Sequence, residues 1–240
     1  MLKKTLFLAV LLLFVNLVRV QAENILYLNN SFKKALPGDY IAMAQNKTYT
    51  LLHIVQRDQN TMTVEEISIP IRKLGMSFNS WKGWVKKGAP QYSSWKIYKV
   101  DLQSGHLIKM GSSDDPAKAQ SFLTTLLNLP LTQIPDKERR RVGPRQLLSS
   151  YDKRPFWQPR LIFEGKEVPN VTFNAWKADW PKDGSELSEK TVEIYLPKEE
   201  GLYPIYYPYW LQISGTISQA KIRIVDSGKG MFSPSSTQNK

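Results

Sequence analysis

The sequence predicts a mainly β (α+β) domain: a curved antiparallel sheet or unclosed barrel with one packed helix. Three observations predict it. Runs of β-branched and aromatic residues recur along the chain, separated by Gly, Pro, Asn and Asp clusters. Only one segment carries a long apolar stripe at helical spacing. No alternation of strands with helices is present, as a parallel βαβ sheet would require, and no repeat period is visible.

The first 22 residues read as a secretory signal, with Lys3 and Lys4 before the apolar run Leu6 to Val15 and a Val20-Gln21-Ala22 cleavage site. A membrane anchor is the competing reading, but Asn16 and Arg19 interrupt a stretch that needs about 20 apolar residues to span. Residues Glu23 to Asp39 read as a loosely ordered lead-in ending in the turn Pro37-Gly38-Asp39. A meander follows over Tyr40 to Gln45, Thr48 to Gln56 and Thr61 to Ile69, with turns at Asn46-Lys47 and Asp58-Gln59-Asn60. In the second of these, Tyr49, Leu51, His53 and Val55 share one face while Leu52 and Ile54 share the other, which argues for a strand covered on both sides.

Phe78 to Tyr92 breaks the pattern with Gly83, Gly88 and Pro90. Trp81 and Trp84 stand there among Lys82, Lys86 and Lys87. Two readings apply: an exposed binding surface, or tryptophans folded over one end of the sheet. Trp95 to Leu102 and His106 to Met110 form a hairpin across Gln103-Ser104-Gly105. The helix comes next, with Asp115 as N-cap, Pro116 at its first position and an apolar stripe of Ala119, Phe122, Leu123, Leu126 and Leu127; Pro130 stops it.

Residues 131–159 form an aperiodic excursion rich in Pro and Arg. Strands resume at Arg160 to Glu164, Val168 to Trp176 and Thr191 to Leu196. Tyr203 to Trp210 is an aromatic-dense, irregular approach with Pro204 and Pro208. Tyr209 to Ser214 and Ala220 to Asp226 make a last hairpin. The expected organisation is a signal at 1–22, one β-rich domain at 23–226 and a flexible tail at 227–240.

Composition narrows the function classes. The chain of 240 residues has no Cys, which excludes disulfide staples, thiolate metal sites and a cysteine nucleophile. In an exported protein of this size, that lack leans toward a bacterial envelope. Removal of Lys3, Lys4 and Arg19 with the signal leaves 30 basic against 21 acidic side chains, a charge of +9. Export disfavours nucleic acid as partner; lipid, anionic glycan or an envelope protein fit an exported basic surface. Among the candidate binding groups, Arg139, Arg140 and Arg141, with Arg145 close by, present planar multi-donor cations on a loop expected to be exposed. Trp81, Trp84, Tyr207 and Trp210 supply aromatic surface.

Catalytic patterns are absent from the sequence. His53 and His106 are its two imidazoles and lack metal-ligand spacing, so structural roles are expected. No Gly-x-Ser-x-Gly elbow, phosphate loop or dinucleotide fingerprint occurs. Glu65 and Glu66 point to opposite faces of a strand. No catalytic residue, metal or cofactor is assigned. The reading is a non-catalytic envelope protein binding an amphipathic or anionic ligand. A structural or partner-binding role is second and an envelope hydrolase third.

Tyr209-Trp210-Leu211-Gln212-Ile213, then Lys221-Ile222-Arg223-Ile224-Val225-Asp226, together with the hairpin Lys96 to Met110, resemble the strand pattern of the LolA/LolB-like periplasmic lipoprotein carriers. The resemblance is architectural, covers about half of the chain after residue 22, and transfers no binding residue. It implies a curved sheet with an apolar concave face.

Overall fold

The computed structural model describes residues 25–110, 124–144, 152–215 and 219–233. The signal segment, the helix start at Asp115 and Pro116, and Arg145 lie outside them. The fold is mainly β, built on a large antiparallel sheet that does not close into a barrel. Its strands are β1 (Ile25–Leu26), β2 (Tyr40–Gln45), β3 (Thr48–Arg57), β4 (Thr61–Pro70), β5 (Ser94–Asp101), β6 (Leu107–Met110), β7 (Leu131–Gln133), β10 (Phe173–Asp179), β11 (Thr191–Pro197), β12 (Trp210–Ser214) and β13 (Gln219–Gly228). A separate two-stranded ribbon pairs β8 (Ile162–Phe163) with β9 (Lys166–Glu167).

The eleven strands run β1-β7-β10-β11-β12-β13-β2-β3-β4-β5-β6. Two meanders, β2–β6 and β10–β13, are therefore joined by pairing β13 with β2. Bulges at Ile224/Asp226 in β13 and Ile54/Gln56 in β3 add local bend and twist.

Side-chain alternation sends the middle strands into two cores. Ile41, Met43, Leu52, Ile54, Met62 and Val64 join the larger, inner core, which also takes Ile194, Leu211 and Phe173 from the second meander. Tyr40, Ala42, Leu51, Ile67 and Ile69 join a smaller, outer one. The two apolar faces of β3 thus meet two separate covers, as its sequence implied.

The covers are short elements, of which the sequence reading had the helix before Pro130 but not the other two. The lead-in is ordered: α1 (Leu28–Phe32) buries Leu28 and Phe32 against the inner face. Residues 124–128 are helical and add Leu126 and Leu127 there. The stretch read as a loop holds α2 (Trp81–Lys86), whose N-cap Ser80 accepts a bond from Gly83 N–H. Trp81, Trp84 and Val85, spaced i, i+3, i+4, close the outer core.

The chain also does not fray at Ser227. β13 continues to Gly228, and Met231 and Ser233 are 2% and 3% exposed against the outer face. Of the strand read at Arg160 to Glu164, only Ile162–Phe163 is extended, and the strand expected at Val168 to Trp176 begins later, at Phe173. No helix among the described residues is long and apolar enough to cross a membrane.

Candidate ligand-binding face

The arginine excursion folds back on itself. Val142 N–H donates to Pro155 O, Trp157 N–H donates to Arg140 O, and Arg141 bridges Phe156 in antiparallel fashion. Extended backbone puts alternate side chains on opposite sides, so the three consecutive arginines divide. Arg139 and Arg141 go one way and hold Phe156 between them, each guanidinium carbon 4.3 Å from the ring centroid. Their side chains are only 12% and 11% exposed. Arg139 donates to Phe173 O at 2.9 Å, tying the excursion to β10, and Arg141 donates to Arg154 O at 2.6 Å. The expectation of three accessible arginines is corrected here: two are internal ties. Asp152, gripped by the Arg154 guanidinium, has its pKa held down to about 2.

Arg140 goes the other way. It is exposed, with its guanidinium 4.9 Å over the Trp157 ring. Trp157 packs edge-on against Trp210 at 5.0 Å and Tyr195 at 5.1 Å. Cross-strand partners share a face, and the register aligns Tyr195 with Trp210, Trp210 with Arg223, and Gln212 with Lys221. The result is one outer surface with Trp157 and Trp210 half-buried and Arg140, Arg223 and Lys221 exposed around them. Among the described residues none of these three cations makes an ion pair. An acid on this face, Glu193, accepts a 2.6 Å bond from Tyr195 O–H. Burial and that carboxylate raise the Tyr195 pKa, so the phenol stays protonated as donor.

The remaining aromatic candidates belong to the cores. Trp81 and Trp84 are 4% and 6% exposed and pack edge-to-face at 5.7 Å. Tyr207 is buried beside Phe32 at 5.9 Å, and burial raises its pKa. Of the two readings for the tryptophans, packing over the sheet is the one observed. The described inner-core residues leave a small gap. A cavity of ≈20 Å³ bounded by Phe32, Ile41, Met62, Tyr98 and Tyr206 has room for about one water.

His53 meets a carboxylate, but inside the outer core. Its Nδ1 lies 2.9 Å from Glu65 Oε2 and its Nε2 donates to Met231 O at 3.0 Å. Glu65 Oε1 accepts from Trp95 Nε1–H at 2.8 Å and Ser233 O–H at 2.6 Å. Met231 O can only accept, so Nε2 carries a proton, and the His53–Glu65 contact holds one more between them. With side chains 3% and 0% exposed, the pair fastens β3, β4, β5 and the 231–233 segment together. Glu66 faces inward to Tyr98 O–H, as the strand parity predicted. His106 is exposed.

The CT021 protein family model matches residues 50–169, half of the chain. The chain belongs to the CT021 family. Its fold is similar to that of the solved structure of the hypothetical protein CT021 from Chlamydia trachomatis, with 22% identity and a TM-score of 0.60 over 88% of this chain and 96% of the other. No curated protein matches it. The family match spans Arg139–Arg141 and Trp157, while Trp210, Lys221 and Arg223 of this CT021-family chain come from the strands after it. Sequence reasoning named Arg140 and Trp210 but missed Trp157, Lys221 and Arg223. The alternation of Lys221 and Arg223 against Ile222 and Ile224 was a usable signal; the contact to Trp157, made across more than fifty residues, had none.

Proposed function

We propose that this CT021-family chain is an exported, non-catalytic cell-envelope protein that binds an anionic glycan on the face formed by Arg140, Trp157, Trp210, Lys221 and Arg223. The observation that supports this reading is the conjunction of three unpaired cations with two half-exposed indoles on one sheet face. Indole rings offer flat apolar area to the C–H faces of sugar rings, and guanidinium groups grip carboxylates or phosphates with paired donors. The basic excess and the signal-like N-terminus fit a partner met after export.

Titration with polygalacturonate, followed by tryptophan fluorescence, tests the proposal, with neutral dextran as control. Binding should weaken at least ten-fold in R140S/R223S and with rising salt, because exposed charges are screened beyond about 10 Å at 0.1 M. Equal response to dextran, or an unchanged affinity in the double variant, overturns it. Preferential capture by anionic lipid vesicles would instead identify a lipid headgroup as the ligand. Export is tested separately: the N-terminal residue of the protein recovered from the envelope should be Glu23.

A further inference from the structure

A second site lies on a different part of the molecule. Between the 3-10 turn that ends β4 (Ile71–Lys73) and the chain leaving α2 is an open cleft of ≈160 Å³. Half-buried Phe78 and the small exposed part of Trp84 supply apolar wall, Asn79 and Gln91 supply amide groups, and Lys73 and Lys87 supply charge. No acidic side chain lines it. The whole stretch 71–92 carries five basic residues and no acid. Of these, Lys82 is neutralised by Glu164, whereas Lys73 and Lys87 have no ion pair among the described residues.

The rim of the cleft is held in a costly shape. Ala89 and Gln91 both adopt left-handed backbone, at φ 48° and 63°, directly after Gly88 at φ 79°. Non-glycine residues reach this region at a cost of order 1–3 kcal/mol each and stay there only when the surroundings fix them. Here Ala89 is fully buried in the outer core and its N–H donates to Trp84 O. Trp84 Nε1–H donates to Pro90 O at 3.2 Å. Anchored in this way, the rim lines the cleft together with Lys73, its shape set before any ligand arrives.

We infer that this cleft is a binding site for an anionic monosaccharide unit, one pyranose ring carrying a carboxylate or a phosphate. The cleft has room for a single small ring. An aromatic wall faces the C–H surface of such a ring, the amides serve its hydroxyls, and two lysines flank the anion as point charges. The inference does not rest on the Arg140–Trp210 face, and its test separates the two.

The test is an NMR titration of the purified protein at low salt, with glucuronate, glucose 6-phosphate, glucose and inorganic phosphate as probes, reading the Trp84 indole N–H. Glucuronate or glucose 6-phosphate should move that signal with a Kd at least ten-fold lower than either glucose or phosphate. K73A/K87A, which removes two exposed side chains, should raise that Kd at least ten-fold with an unchanged thermal melt. R140S should leave it unchanged. Phosphate binding as tightly as the sugar phosphate reduces the cleft to a general anion spot and overturns the inference. So does sugar binding unaffected by K73A/K87A, or a Trp84 signal that no probe moves.

Discussion

The three consecutive arginines show how far a single residue's role depends on strand parity. Arg139 and Arg141 stack on Phe156 and donate to backbone carbonyls, whereas Arg140 points outward over Trp157. Arg141→Ala removes a stacked cation and leaves Arg154 O without its donor, so it should cost about 1–3 kcal/mol. Arg140→Ala, at an exposed position, should stay within about 0.5 kcal/mol. Urea unfolding of both variants checks this, and equal losses would contradict the division of roles. The run itself was legible in the sequence as a cluster of multi-donor cations. Its splitting was not, because it depends on pairing with 155–157, and nothing local announces that an excursion full of prolines will make an antiparallel contact. Trp81 and Trp84 were ambiguous for a related reason: Gly83, Gly88 and Pro90 masked a helical i, i+3, i+4 spacing that the Ser80 cap makes effective.

Among the elements, runs of β-branched and aromatic residues bounded by turn residues were readable nearly to the residue, as at β2, β3, β4 and β11. Elements whose order comes from what they cover were not, and the segment after β13 is the clearest instance. Its sequence is polar and glycine-rich, yet Met231 fills the outer core and Ser233 and Met231 O complete the partners of Glu65 and His53. Gly228 lets β13 pass over Tyr40: a Cβ there would stand 2.4 Å from the Tyr40 ring. Deleting the chain after Gly228 leaves a buried ionisable pair short of two partners and opens the outer core. Each buried polar group left without its partner costs about 1–3 kcal/mol, so the loss should be about 2–6 kcal/mol. Glu65→Gln in the full chain removes the acid that shares the His53 proton, and should lose part of that amount while the strap remains. Chemical denaturation of the two variants distinguishes them, and a truncated chain as stable as the full one would contradict the strap's role.

For the whole molecule, the pairing of β13 with β2 makes one sheet from two meanders, and it was invisible beforehand because it joins residues about 180 positions apart. That seam concentrates buried carboxyls. Asp226, at the seam, accepts from Tyr40 O–H and Gly165 N–H, and Asp39 accepts from Leu36 N–H. Burial raises the pKa of both, and burial likewise raises Glu66 on the inner face. A carboxyl whose folded value lies above its unfolded value of about 4 binds its proton more tightly in the native state. Its contribution is therefore complete below pH 4 and is lost as pH rises through the folded value. The surface carboxyls Asp58, Asp101, Asp152 and Glu138 act in the opposite sense: hydrogen bonds and cations lower them, so their contribution is present above about pH 4 and lost as pH falls below it. Solvent screening keeps those surface terms small. Stability should then rise as pH falls through the folded values of these buried carboxyls, and decline only below about pH 4. Asp226→Asn removes the ionisation while its side-chain oxygen still accepts from Gly165 N–H, and should flatten that rise. Urea midpoints of the parent and the variant followed from neutral pH down to about pH 4 measure this directly. An unchanged slope in Asp226→Asn would mean that the seam carboxylate is solvated and that the pH response arises elsewhere.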